Sequence, residues 1–191
     1  MKFTPEQVKA FYAAAAKQYD AEFVDRRDSD LMKLIGTFLD GIGVLDKEKF
    51  LNDFTTTVGN VIYLGYTPGD TSSGHSLAGQ VETAVHEIQH VIDFDDDPVS
   101  FMVRYLVDKS ARTEYECRAY AAGLEWRWKT TGASSDLERA AQSLLSYGLK
   151  QEHCDFMAQY LAVQDDVFRQ GGAVSPVVQW AWKWFQENPN G

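Results

Sequence analysis

Val85-His86-Glu87-Ile88-Gln89-His90-Val91 sets two histidines four residues apart, with a glutamate directly after the first. On an α-helix four steps of about 100° return nearly to the starting face, so both imidazoles reach toward one point. Glu87 projects about 100° away, close enough to touch a water bound at that point without taking a ligand position. These residue types at this spacing point to a metal site with Zn2+ as the expected ion, His86 and His90 as ligands and Glu87 as general base. The flanking residues agree. With His86 at 0° on a wheel drawn from Leu77 to Phe94, Val81, Ala84, Ile88 and Ile92 gather at about 160–240°, roughly opposite His90 and Asp93. The helix therefore packs with one face and displays its histidines on the other, whereas a pair of core histidines would sit within the apolar stripe.

Outward from this helix, Ser76 is the expected N-cap, and Asp95-Asp96-Asp97-Pro98 is the expected stop, because carboxylates oppose the dipole there and proline forbids continuation. That acidic run reads as a solvated loop rather than a calcium site. Upstream, Tyr66 to Gly74 is a Gly/Pro/Ser/Thr-rich loop, preceded by Thr55-Thr56-Thr57-Val58, Gly59-Asn60 and Val61-Ile62-Tyr63-Leu64. The last three pieces read as a small hairpin or sheet fragment, the only convincing β-region in the chain. Thr4-Pro5-Glu6-Gln7 starts a helix running to about Tyr19, with Thr4 as N-cap and Gln7 closing a capping box. Ser29 and Asp30 open a second, closed by Gly41 and Gly43, and Asp46 caps a short third reaching Phe54. Downstream helices are expected at about Ser100–Asp108, Ala111–Lys129, Asp136–Leu149, Gln151–Gln170 and Pro176–Glu187. In the last, Trp180 and Trp184 stand at i and i+4 and read as packing residues rather than a membrane or ligand platform.

A catalytic zinc takes three protein ligands and leaves a position for water, so a third partner is required. Asp93 shares the histidine face but lies about 10 Å of helical rise beyond His86. It is better suited to orienting His90, or to being a surface acid. The run Arg112-Thr113-Glu114-Tyr115-Glu116-Cys117-Arg118-Ala119-Tyr120 offers two glutamates that periodicity separates. With Glu116 at 0°, Glu114, Arg118, Glu125 and Lys129 fall at about 160–220°, a charged face with i,i+4 pairs Glu114–Arg118 and Glu125–Lys129. Glu116 instead lies between two apolar arcs, Tyr115/Ala119/Ala122/Trp126 and Tyr120/Leu124/Trp128. A carboxylate aimed inward requires a cation or several donors. Zinc meets that requirement, and a salt bridge to an arginine such as Arg112 is the alternative.

His-Glu-x-x-His on one helix, followed 26 residues after His90 by Glu116 within Glu-x-x-Ala-Tyr, resembles the gluzincin branch of the zincin metallopeptidases. It is most similar to small bacterial and phage-type predicted metallopeptidases in which a Thr-x-Gly-x-x-Ile-Tyr strand precedes the motif helix, approximated here by Thr57-Val58-Gly59-Asn60-Val61-Ile62-Tyr63. The resemblance covers about Thr55 to Trp128. It implies a zincin-like fold, an active-site helix under a small sheet whose edge strand holds extended peptide, and zinc on His86, His90 and Glu116 serving peptide-bond hydrolysis with Glu87 as base. The oxyanion usually needs a second electrophile. Tyr120, one turn after Glu116, ranks first, ahead of His153; His75, in the Gly/Ser-rich loop, could also gate the cleft.

The 191 residues, 45% hydrophobic, suit one compact domain over 1–191 with its motif core at about 55–128, mainly α with a small β-element, an α+β composition of elements. A formal charge of −10 would repel nucleic acid and anionic lipid headgroups, so neither is expected as a partner; peptide or protein substrate is what the resemblance implies. No apolar run is long enough to cross a bilayer. The start, Met1-Lys2-Phe3-Thr4-Pro5-Glu6, lacks a signal peptide's apolar core, so a cytoplasmic location as synthesised is expected, with export by another route left open. Cys117 and Cys154 read as small buried hydrophobes. The competing class of function is a non-catalytic helical binding or adaptor module, with a structural metal on the histidines or none.

Overall fold

The computed structural model describes residues 1–30, 32–33, 55–133 and 135–189. Helix α1 (Pro5–Gln18) starts as its sequence dictates. The Thr4 side chain accepts the Gln7 N–H at 3.1 Å, and the Gln7 side chain accepts the Thr4 N–H at 3.0 Å. Beyond residue 33, the helices expected between Ser29 and Phe54 lie outside the described residues.

The expected hairpin is present, as β2 (Thr56–Val58) antiparallel to β3 (Val61–Leu64). Gly59 opens its two-residue loop at φ +64°, a conformation that L side chains avoid and hairpin twist favours. A third strand, β1 (Glu22–Asp25), runs parallel to β3 on its other side, giving the order β1-β3-β2. This corrects the reading that confined β-structure to Thr55–Leu64. Glu22-Phe23-Val24-Asp25 is too short to show an alternation of its own, and its pairing is fixed from outside. Glu22 donates its N–H to the Asn60 carbonyl at 2.9 Å, and Asn60 Nδ2 donates to the Asp20 carbonyl at 2.8 Å.

The motif helix is α2 (Leu77–Asp96), capped by the Ser76 hydroxyl on the Gly79 N–H. Val81, Ala84, Val85, Ile88 and Val91 are fully buried and pack with Ile62 and Leu64 of β3, with α1 and with α7 (Pro176–Glu187). Trp180 and Trp184 both pack on Phe11 of α1, in agreement with a packing role. Asp97 ends α2 and also starts α3 (Pro98–Val107), accepting the Ser100 N–H at 3.2 Å, so α3 begins two residues before the expected Ser100.

Helix α4 (Lys109–Thr131) follows directly, with the Asp108 carboxylate capping Ser110 and Ala111. It is buried on two sides. Ala122 and Trp126 belong to the α1/α2/α7 core, whereas Cys117, Ala121 and Leu124 join Leu144, Met157 and Leu161 of the distal helices. Cys117 and Cys154 are buried, unbridged thiols in that second core. The helix expected over Asp136–Leu149 is instead α5 (Leu137–Gln142) followed by a 3-10 turn (Ser143–Tyr147) and Gly148 at φ +71°. Its serines compete with the helical ladder, since the Ser143 hydroxyl donates to the Ala140 carbonyl and the Ser146 hydroxyl to the Ser143 carbonyl, each at 2.6 Å. Helix α6 (Gln151–Arg169) closes the distal layer.

The charged face expected on α4 is rearranged. Arg118 pairs with Asp93 of α2 at 3.1 Å, and Glu114 lies 4.0 Å from Arg104. Glu125 is completely buried; it accepts the N–H groups of Val174 and Ser175 at 3.0 Å and lies 3.9 Å from Lys129. Among the described residues no helix is long and apolar enough to cross a membrane.

Candidate metal centre

His86, His90 and Glu116 meet in the angle between α2 and α4. One ligand atom from each can be chosen so that all lie within 4.8 Å of one another. His86 Nε2 is 3.8 Å from Glu116 Oε2, and His90 Nε2 is 3.6 Å from Glu116 Oε1. Such spacings are too long for hydrogen bonds and are of the kind expected of groups arranged around a common ion. Both glutamates of the α4 run are thereby sorted as periodicity requires, Glu116 inward and Glu114 outward. The arginine alternative for Glu116 is not what is found, because Arg112 spends its guanidinium on the carbonyls of Tyr105, Leu106 and Tyr147.

Burial sets the charge states of the group. It pushes the His86 imidazole down to about 4 and His90 well below the ordinary range, so both are neutral, the form that binds metal. Burial lifts Glu116 to about 8 and Glu87 to about 7, opposed by a Tyr105 hydrogen bond in the first and by Thr57 and Arg26 in the second. Glu116 Oε2 and His90 Nδ1 are buried without a hydrogen-bond partner among the described residues. Once ionised, a carboxylate oxygen left this way costs free energy that a bound cation would offset. The donor set, two neutral imidazoles and one carboxylate, suits Zn2+, as it does other divalent first-row ions.

Glu87, on the same helix, is held from the sheet. Thr57 of β2 donates its hydroxyl to Glu87 Oε2 at 2.6 Å. Asp93 does not orient His90, since its carboxylate is occupied by Arg118 and by Gln89 Nε2 at 3.3 Å. Tyr120 sets its ring edge-to-face on His86, centroids 4.7 Å apart, and its hydroxyl shares a 2.6 Å hydrogen bond with Ser143. His153 lines neither cavity beside this group, and its Nδ1 accepts the Lys150 N–H at the start of α6. His75 packs on Tyr66, with centroids 4.5 Å apart. Its loop is tied to α2, because Gln80 accepts from Gly69 N and donates to the carbonyls of Asp70 and His75, and His75 walls the open cleft described below.

Two tyrosines escaped the sequence reading. Tyr105 of α3 donates its hydroxyl to Glu116 Oε1 at 2.5 Å, and Tyr147 of the 3-10 turn lines both cavities that adjoin His86. No spacing in the sequence joins them to the motif; the sharp α3–α4 junction and the distal layer bring them in. One cavity is an open cleft of about 710 Å³ walled by His75, Glu82, Tyr120, Arg127, Arg139 and Ser143. The other, of about 240 Å³, is lined by Val58, Phe101, Tyr105 and Leu106 and by the β2 edge. They share Thr55, His86, Glu87 and Tyr147. No protein-family model, no curated protein and no solved structure matches the chain.

Proposed function

We propose that the protein is a zinc-dependent metallopeptidase of zincin-like fold, with zinc held by His86, His90 and Glu116. The observation that carries this reading is the convergence of two neutral imidazoles on a buried carboxylate, one oxygen of which has no hydrogen-bond partner among the described residues, beside a fixed glutamate at the meeting of two cavities. Zinc bound there supplies a water of lowered pKa and polarises a carbonyl.

Glu87 then does the proton work. Thr57 occupies its Oε2, so Oε1 accepts the proton of the attacking water and returns it to the leaving amine nitrogen. A raised proton affinity, to about 7, fits a base that must both take and give at neutral pH. The β2 strand is an edge of the described sheet and lines the apolar cavity, an arrangement that supports extended peptide lying along it. Tyr147, which lines both cavities, joins Tyr120 as a donor for the developing oxyanion.

The test is metal content of protein purified without chelator, compared for wild type, Glu116→Ala and Glu114→Ala, followed by peptide hydrolysis with Glu87→Gln. About one equivalent of zinc is expected in wild type and Glu114→Ala, with roughly a tenth or less in Glu116→Ala. Glu87→Gln should keep its zinc and lose at least about 100-fold in turnover. Wild type without zinc would remove the metal reading and leave a helical binding module. Zinc retained with no hydrolysis of any peptide library would remove only the peptidase reading.

A further inference from the structure

We propose that Tyr105 decides which oxygen of Glu116 binds the metal, holding Oε1 by its hydroxyl and reserving Oε2 for the ion. This deepens the metal reading above and rests on it, but not on peptide hydrolysis. The two oxygens are not equivalent. Oε1 receives the Tyr105 hydroxyl at 2.5 Å and lies 3.6 Å from His90 Nε2, whereas Oε2 is buried, has no donor among the described residues and faces His86 Nε2 at 3.8 Å. An ionised carboxylate accepts through both oxygens, so the one left empty in a dry site is where a cation is owed. A donor on the other oxygen disfavours a two-oxygen grip and fixes the ligand's orientation.

Tyr105 is built for the task. Its ring stacks on Phe101 with centroids 5.6 Å apart at 25°, and lies 6.2 Å from the Tyr115 ring. Its own carbonyl is held by Arg112 Nε at 2.7 Å, and the Arg112 guanidinium lies 5.4 Å from its ring centroid. Backbone, ring and hydroxyl are all held by neighbours, Arg112 at the first two, Phe101 at the ring and Glu116 at the hydroxyl. Tyr105 is thus a positioning residue, acting on the metal through Glu116.

The experiment uses zinc and cobalt(II) as probes on the full chain, comparing wild type with Tyr105→Phe and with Tyr115→Phe, which alters the same aromatic cluster without touching a ligand. Zinc affinity, read by competition with a chromophoric chelator, should weaken about 10- to 100-fold in Tyr105→Phe and stay within about twofold in Tyr115→Phe. The cobalt(II) visible bands should weaken in Tyr105→Phe as the second oxygen joins the ion, a signature that a loss of fold stability alone would not produce. Wild-type affinity together with an unchanged cobalt spectrum in Tyr105→Phe overturns the proposal. If that variant does not fold, infrared difference spectra of zinc-loaded against metal-free wild type decide. A wide gap between the antisymmetric and symmetric carboxylate stretches is expected for one-oxygen binding, and a narrow one overturns it. Wild type that binds no zinc is the separate failure of the metal reading.

Discussion

Thr57 donates its hydroxyl proton to Oε2 of Glu87, which leaves Oε1 as the oxygen free for the proposed reaction. Replacing it by valine keeps the shape and the β-propensity but frees the carboxylate to rotate. Turnover of Thr57→Val should fall roughly 10-fold with KM and zinc content unchanged, and Thr57→Ser should restore most of it; steady-state kinetics with wild-type turnover in the valine variant would sink the assignment. At this scale the sequence is legible where geometry is local. His86, Glu87 and His90 follow from one helical period, and Glu116 from its place between two apolar arcs. Thr57 was visible as a strand residue, but its bond to a side chain 30 positions away depends on how β2 settles against α2. Asp93 misled for the converse reason: it lies on the right face, and Arg118 from another helix claims it.

Among the elements, the α3–α4 junction does the most for the site, because it places Tyr105 and Glu116 in contact although they are eleven residues apart. Arg112 ties that junction to the distal layer by donating to the carbonyls of Tyr105, Leu106 and Tyr147 at 2.7, 2.9 and 3.2 Å. Arg112→Ala should lower stability by about 2 kcal/mol in urea unfolding, given that bonds to a charged donor exceed neutral ones and that this arginine is partly exposed. Lysine should recover only part, since one ammonium cannot span the fork. Helix starts were readable from Thr4, Ser76 and the Pro176 turn because caps are local chemistry. The β1 strand and the break at Ser143 were not. The first is defined by a partner more than thirty residues away, and the second by serine hydroxyls whose competition with the backbone a periodicity count does not register.

Across the whole molecule, Glu125 joins the two cores, reaching from α4 to the backbone that opens α7. Burial raises its proton affinity above the ordinary glutamate value of 4.5, against the opposing pull of Val174 N, Ser175 N and Lys129. The native state therefore holds this proton more tightly than the unfolded chain does. Its stabilising contribution is complete below that ordinary value and is lost as pH rises through the higher folded one. Glu125→Gln, which still offers an oxygen to both N–H groups, should melt about 2 °C higher than wild type at pH 7, with the difference closing near pH 4; a variant that melts lower at pH 7 would contradict this. The placement of α4 carries one more consequence. Since α4 supplies side chains to both cores, it is held from two sides, and Glu116 is fully buried on it. Amide hydrogens in the middle of α4 should therefore exchange with deuterium only through global opening, among the slowest in the protein, so that Glu116, the proposed third ligand, is displaced when the fold is lost and not before.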